Sequence, residues 1–159
     1  MKTYGRFFFV TATAMLALAG CGSDSTTPAA FNVNGVWDVS ESILQCNCTS
    51  CDSSSYTVTV TQSGNKLTVA PSTTSQTFTG TMNGDVISWD GTIKSGEATI
   101  NVSMSLTVTD NGAKFTGTSS WTYSEPGYSC SGQNKVEGTR QGGANTNPIP
   151  GTNPEEMEG

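Results

Sequence analysis

The chain reads as all-β, a single eight-stranded antiparallel up-and-down barrel, with a flexible N-terminal tether and a C-terminal tail. Three observations predict this. From residue 31 to 140 apolar residues alternate with Ser, Thr and Asn at period two, the signature of half-buried strands. Glycine-containing dipeptides punctuate the alternation where antiparallel strands would turn. No 3.6-residue apolar period competes, and the Thr- and Tyr-rich composition suits a pleated surface.

Eight strands follow in order, at about 33–43, 55–62, 66–70, 75–82, 85–93, 98–109, 113–124 and 131–140. The first carries Trp37, Val39, Glu41 and Ile43 on one parity. In the second, Tyr56, Val58 and Val60 alternate with Thr57, Thr59 and Thr61. A Ser63-Gly64 turn then places Val60 opposite Leu67 and Val58 opposite Val69. Asn83-Gly84 between the fourth and fifth strands places Phe78 opposite Trp89 and Gly80 opposite Ile87. The sixth strand alternates most cleanly, with Ile100, Val102, Met104, Leu106 and Val108 on one face. Asn111-Gly112, where both central residues need positive φ, sets Val108 opposite Phe115 and Val102 opposite Trp121. All three turns keep the apolar faces in phase, which a one-residue slip would not. A meander with one apolar face and two free edges buries the face and removes the edges by closing on itself. Transmembrane barrels alternate too, but several strands here are short and no aromatic girdles are evident, so a water-facing exterior is expected.

The flanks have a different composition. Lys2 and Arg6 precede an apolar run, Phe7 to Leu18, too short to span a bilayer of about 30 Å as a helix. The sequence Leu18-Ala19-Gly20-Cys21 follows and resembles the lipobox of bacterial lipoproteins. The resemblance implies a signal peptide over 1–20, cleavage before Cys21 and lipidation of Cys21, hence a membrane-anchored protein of the cell envelope. Gly22, where enteric members held at the inner membrane carry Asp, tilts the expected location to the outer membrane. Residues 21–30 then form a lipidated tether, 31–140 the barrel domain, and 141–159, rich in Gly, Asn and Pro, a disordered tail.

The whole chain has 7 basic and 13 acidic residues; without Lys2 and Arg6 it has 5 and 13, a net charge of −8. No nucleic-acid partner is expected of such a balance. With no histidine in the chain, Ser-His-Asp and Cys-His catalysis and histidine metal sites are closed to it. No phosphate-cradling glycine loop occurs, and no cofactor or resident metal is expected.

Gly35-Val36-Trp37 on the first strand and Arg140 at the end of the last resemble the calycin pattern of lipocalins and related barrels. There an arginine from the end of the barrel packs over the Gly-x-Trp indole as a structural closure. Thr109-Asp110-Asn111 occupies the place of the lipocalin Thr-Asp motif, without the family's tyrosine. The resemblance implies a ligand mouth at the end with the longer connections, 44–54, 71–74 and 125–130.

Cys46, Cys48, Cys51 and Cys130 remain beside Cys21. An even number in an exported chain points to disulfides. If Trp37 lies opposite Arg140, Cys46 and Cys48 each come within one position of facing Cys130. Cys46–Cys130 with Cys48–Cys51 is the expected pairing, and Cys48–Cys130 with Cys46–Cys51 the close alternative. The long bridge is valued at roughly 4 kcal/mol by the chain-entropy model. The same C-x-C-x-x-C spacing could hold a soft metal as thiolates.

Glu41 has inward parity near the mouth and would make a polar handle for a ligand, although fraying or a bulge after Val39, turning it to solvent, is the outcome expected of a strand end. Trp89, Trp121 and Tyr123 fill the core or face a ligand. Asp38, Asp90 and Glu137 have outward parity. The reading that follows is a non-enzymatic envelope lipoprotein that binds a small apolar ligand. A protein-interaction or protease-inhibitor-like module is the alternative, and a thiol-based metal binder the third.

Overall fold

The computed structural model describes residues 27–151. Cys21, the leader and the end of the tail lie outside the described residues. The eight strands are β1 (Gly35–Cys46), β2 (Ser54–Ser63), β3 (Lys66–Pro71), β4 (Phe78–Asn83), β5 (Val86–Ser95), β6 (Ala98–Thr109), β7 (Lys114–Glu125) and β8 (Tyr128–Arg140). Each pairs antiparallel with the next, and β8 closes on β1 to complete a barrel. Its outward positions carry mainly Ser, Thr, Asn and charged residues. Among the described residues the exposed large hydrophobics are Val36, Leu44 and Tyr128, too few and too scattered for the apolar band of a lipid-facing wall. No helix among the described residues is long and apolar enough to cross a membrane.

The register refines the expected pairing. Val108 faces Phe115, Val102 faces Trp121, and Trp37 faces Arg140, as the sequence predicts. At the other two turns the register moves by two residues: Val60 faces Val69, and Gly80 faces Trp89. The reason is turn chemistry. The central residues are Gly64-Asn65 and Gly84-Asp85, with positive φ at the glycine alone, so glycine takes the first central position of a II′-type turn and not the second of a I′ turn. A two-residue shift leaves every side chain on its expected face. Asn111 and Gly112 do both have positive φ, and Asp110 joins them in a short 3-10 turn. Residues 125–130 are not a long connection: Pro126-Gly127 makes a tight turn and β8 begins at Tyr128. The long connections at that end are 47–53 and 72–77.

At the end with the Gly64, Gly84 and Gly112 turns the barrel is filled and plugged. Trp37, Leu67, Met82 and Val136 are almost fully buried, and the Trp37 and Phe115 rings meet at 4.9 Å. Phe115 lies over Gly138, where any Cβ would collide with the ring. The segment before β1 crosses beneath this core. Val33 is fully buried and donates its N–H to Gln62 Oε1 at 2.7 Å, while its carbonyl accepts from Trp37 Nε1 at 3.0 Å. Buried Gln62 also donates to the carbonyls of Phe31 and Gly64, so a polar side chain in an apolar core leaves no unpaired group.

Residues 141–151, the described part of the segment after β8, return over the same end. Asn32 bridges to Asn145 and donates to the carbonyls of Asn147 and Pro148, both at 3.0 Å. Gly64 N–H donates to the Pro150 carbonyl at 2.6 Å, and Ile149 packs on the core. The composition of 141–151 cannot build a core, but its carbonyls satisfy donors left at the barrel end. Arg140 works here as well. Its guanidinium lies against Gly35 and donates to the carbonyls of Asn34 at 2.7 Å and Gly143 at 2.8 Å. The ring neighbour of the Trp37 indole is Phe115, so the arginine ties two chain segments together through carbonyls.

Candidate functional site

The opposite end is open, and its rim is built by the cysteines. Cys48 pairs with Cys130, with a Cα–Cα distance of 5.1 Å, and Cys46 pairs with Cys51. This is the alternative connectivity, and a bulge decides it. The β1–β8 register holds from Trp37 opposite Arg140 to Ile43 opposite Asn134, then slips one position at Leu44, so that Cys46 faces Gly132. The slip carries Cys48, not Cys46, to Cys130. Asn47 extends the ladder past the bulge, donating its N–H to the Ser131 carbonyl at 3.0 Å and accepting the Ser131 N–H on Oδ1 at 2.6 Å. The Sγ atoms of Cys46, Cys48 and Cys51 lie within 4.8 Å of one another, but as disulfides they offer no thiolate to a metal.

Beneath this strap a cleft of ≈ 610 Å³ opens on the inner face of β6, β7 and β8. Ile100, Trp121, Tyr123 and Tyr128 form its walls, residues 48–50 its roof and Glu125 its rim. The register explains the grouping: Ile100, Tyr123 and Cys130 stand in one row, and Glu125 and Tyr128 are paired beside the Pro126-Gly127 turn. Tyr123 O–H donates to Glu125 Oε2 at 2.8 Å, and the Tyr123 and Tyr128 rings lie 6.1 Å apart, tilted by 59°. Thr49 N–H donates to the Tyr128 hydroxyl oxygen at 3.3 Å, tying roof to wall. The hydrogen bond to Glu125 raises the Tyr123 phenol above the usual tyrosine range.

A polar chain runs inward from this cleft. Trp121 Nε1 donates to Asn134 Oδ1 at 3.1 Å, Asn134 Nδ2 donates to Glu41 Oε2 at 2.5 Å, and Tyr56 O–H donates to Glu41 Oε1. Glu41 therefore points into the barrel, not to solvent. The irregularity expected after Val39 occurs later, at Leu44, and leaves Glu41 on the inner face. Burial first, then the hydrogen bond to Glu41 and its charge, push the Tyr56 phenol far above its ordinary value. Trp121 rests over Gly132, where a Cβ would fall 2.5 Å from its ring, so glycine lets the indole lie along the wall. Trp89 stands apart on β5, edge-on to Phe78 at 4.8 Å and over Gly91. Its buried indole N–H, like Gln76 Oε1, has no hydrogen-bond partner.

The structure thus brings Trp121 and Tyr123 into one cleft, reaches Glu41 through Asn134, and leaves Trp89 on another wall. Sequence reasoning missed Tyr128, Asn134 and Tyr56 as parts of this arrangement. Pro126-Gly127 was a turn signal that would have moved Tyr128 onto a strand. A second, larger groove of ≈ 900 Å³ runs across β5, β6, β7, β8 and the end of β1, where Asp90, Thr92, Asn101, Ser120 and Gln133 line it together with Trp121. Several of its side chains already bond one another across strands, as Thr92 does to Asn101 at 2.8 Å and Gln133 to Ser120 at 3.4 Å. The inner cleft, with apolar walls and a few convergent polar groups, has the character of a small-molecule site, whose volumes run about 300–1,000 Å³. Compared with protein-family models, curated proteins and solved structures, the chain has no match.

Proposed function

We propose that this chain is a non-enzymatic, lipid-anchored envelope protein whose barrel takes a small apolar ligand at its disulfide-strapped mouth. The observation that carries the reading is the contrast within one barrel. One end is sealed by two chain segments, whereas the other holds a half-exposed aromatic cleft that the fold does not fill. A barrel serving only as a scaffold gains nothing from leaving Trp121, Tyr123 and Tyr128 uncovered, because each forgoes burial worth about 25 cal/mol per Å². The non-enzymatic reading rests on the absence of histidine from the sequence and on the pairing of all four rim cysteines. The anchor rests on the leader and Cys21 alone.

Titration with a neutral apolar dye, followed by tryptophan quenching and native mass spectrometry, tests the ligand reading. Saturable one-to-one binding that Ile100→Arg abolishes is expected; no saturable binding sinks it. For the anchor, Cys21→Ser should move the protein from the membrane to the soluble envelope fraction. An unmodified Cys21 thiol in the membrane-extracted protein would refute lipidation.

A further inference from the structure

We infer that the mouth cleft selects ligands bearing an organic ammonium head on a compact apolar body. This deepens the ligand-binding reading and rests on it. Tyr123 and Tyr128 form an open V, with ring centroids 6.1 Å apart and a 59° tilt. Trp121 and Ile100 continue the wall inward. Aromatic faces carry the negative lobe of the ring quadrupole and attract a cation held over them, and a methylated ammonium is shed by water far more readily than a small hydrated ion.

Charge supports the same choice. Glu125 is the one ionised side chain among the residues lining the cleft, and no Lys or Arg lines it. The Tyr123 hydroxyl holds that carboxylate at the rim by a 2.8 Å hydrogen bond, leaving its other oxygen for a ligand. Further in, the Glu41 carboxylate takes its hydrogen bonds from the neutral donors Tyr56 and Asn134, so no fixed cation offsets its charge from below. The long-range field agrees, since the chain carries a formal net charge of −6. A carboxylate- or sulfate-headed ligand meets no donor of positive charge in this cleft and is opposed by Glu125. The Thr49 bond to the Tyr128 hydroxyl fixes the outer ring of the V, so the cage is held by the same strap that forms the rim.

Three probes that share an adamantyl body and differ in the head (trimethylammonium, hydroxyl, carboxylate) separate this inference from the reading beneath it. Each is titrated into the full chain and followed by tryptophan fluorescence and native mass spectrometry. The ammonium should bind about ten-fold more tightly than the alcohol, and the carboxylate most weakly. Glu125 is exposed, so Glu125→Gln should fold normally; it should weaken the ammonium severalfold and leave the alcohol unchanged. Tyr128→Leu should erase most of the ammonium preference while retaining the alcohol, and Glu125→Lys should favour the carboxylate. Equal binding of ammonium and alcohol overturns the inference while the apolar-ligand reading stands. Binding of none of the three overturns both.

Discussion

The two ends of the barrel are made from the same alternating strands and reach opposite outcomes. At the sealed end, short glycine turns draw the strands together, large side chains meet across the axis, and two chain segments supply carbonyls and an amide network beneath them. At the open end the connections 47–53 and 72–77 are longer, and the rim is held by disulfides and not by packing. Closure of the sheet does not by itself fill a barrel. What fills it is whether the residues beyond the strands fold back over the end. Stability is therefore concentrated at one end, leaving the other free to carry an exposed aromatic surface.

The largest test of this contrast pairs two tryptophans. Trp37→Ala should cost about 3–5 kcal/mol in urea unfolding, for a fully buried indole that also loses its bond to Val33. Trp121→Ala, half-buried, should cost about 1–2 kcal/mol. Equal losses would break the contrast. Next, Cys48→Ser removes a crosslink spanning 82 residues, which the chain-entropy model puts at about 4–5 kcal/mol at most, with measured losses commonly nearer 2–4. Cys51→Ser opens a loop with a separation of only 5 and should lower the melting temperature by much less. If the two variants melted alike, the rim would not owe its stability to the long bridge.

A third test probes the polar chain between the ends. The Tyr56 phenol is held neutral by burial and by Glu41, so its folded pKa lies above the unfolded value of 10.0. Its stabilisation is therefore complete below pH 10 and is lost as pH rises beyond it, because only the unfolded chain readily gives up the proton. Tyr56→Phe should lose about 1–2 kcal/mol near neutrality and flatten the decline in melting temperature between pH 9 and 11 relative to the wild type. An unchanged alkaline slope would remove Tyr56 from the account. The smallest effect is expected on the surface: Lys114 and Asp110 pair at 2.7 Å with both side chains more than half exposed, so Lys114→Ala should leave the melting temperature within replicate error.

Much of the fold was legible because side-chain alternation has a period of two. The eight strands and the face each one buries follow from it, and the closure of β8 on β1 follows from the two free edges such a meander would otherwise leave. The same period hides a two-residue shift, which is why the pairings at Gly64 and Gly84 came out displaced while every face was right. The cysteines show the complementary case. A one-residue bulge at Leu44 leaves no mark in the hydropathy pattern, yet it decides which cysteine meets Cys130. At the site, Trp121 and Tyr123 were visible by parity, whereas Glu41 was expected to turn to solvent, and Tyr128, Asn134 and Tyr56 become partners only through cross-strand register.

By itself the sequence determined that this chain would be an all-β barrel, which face of each strand would be buried, and that its four rim cysteines would gather at one end. Those properties are local or parity-based, and the alternation of apolar and hydroxylated residues encodes them directly. Only the tertiary structure decided that 27–34 and 141–151 fold over one end, that Glu41 faces inward, and that the other end keeps an aromatic cleft. Those outcomes depend on backbone carbonyls, a single bulge and contacts between residues distant in the chain, which no single stretch of sequence contains.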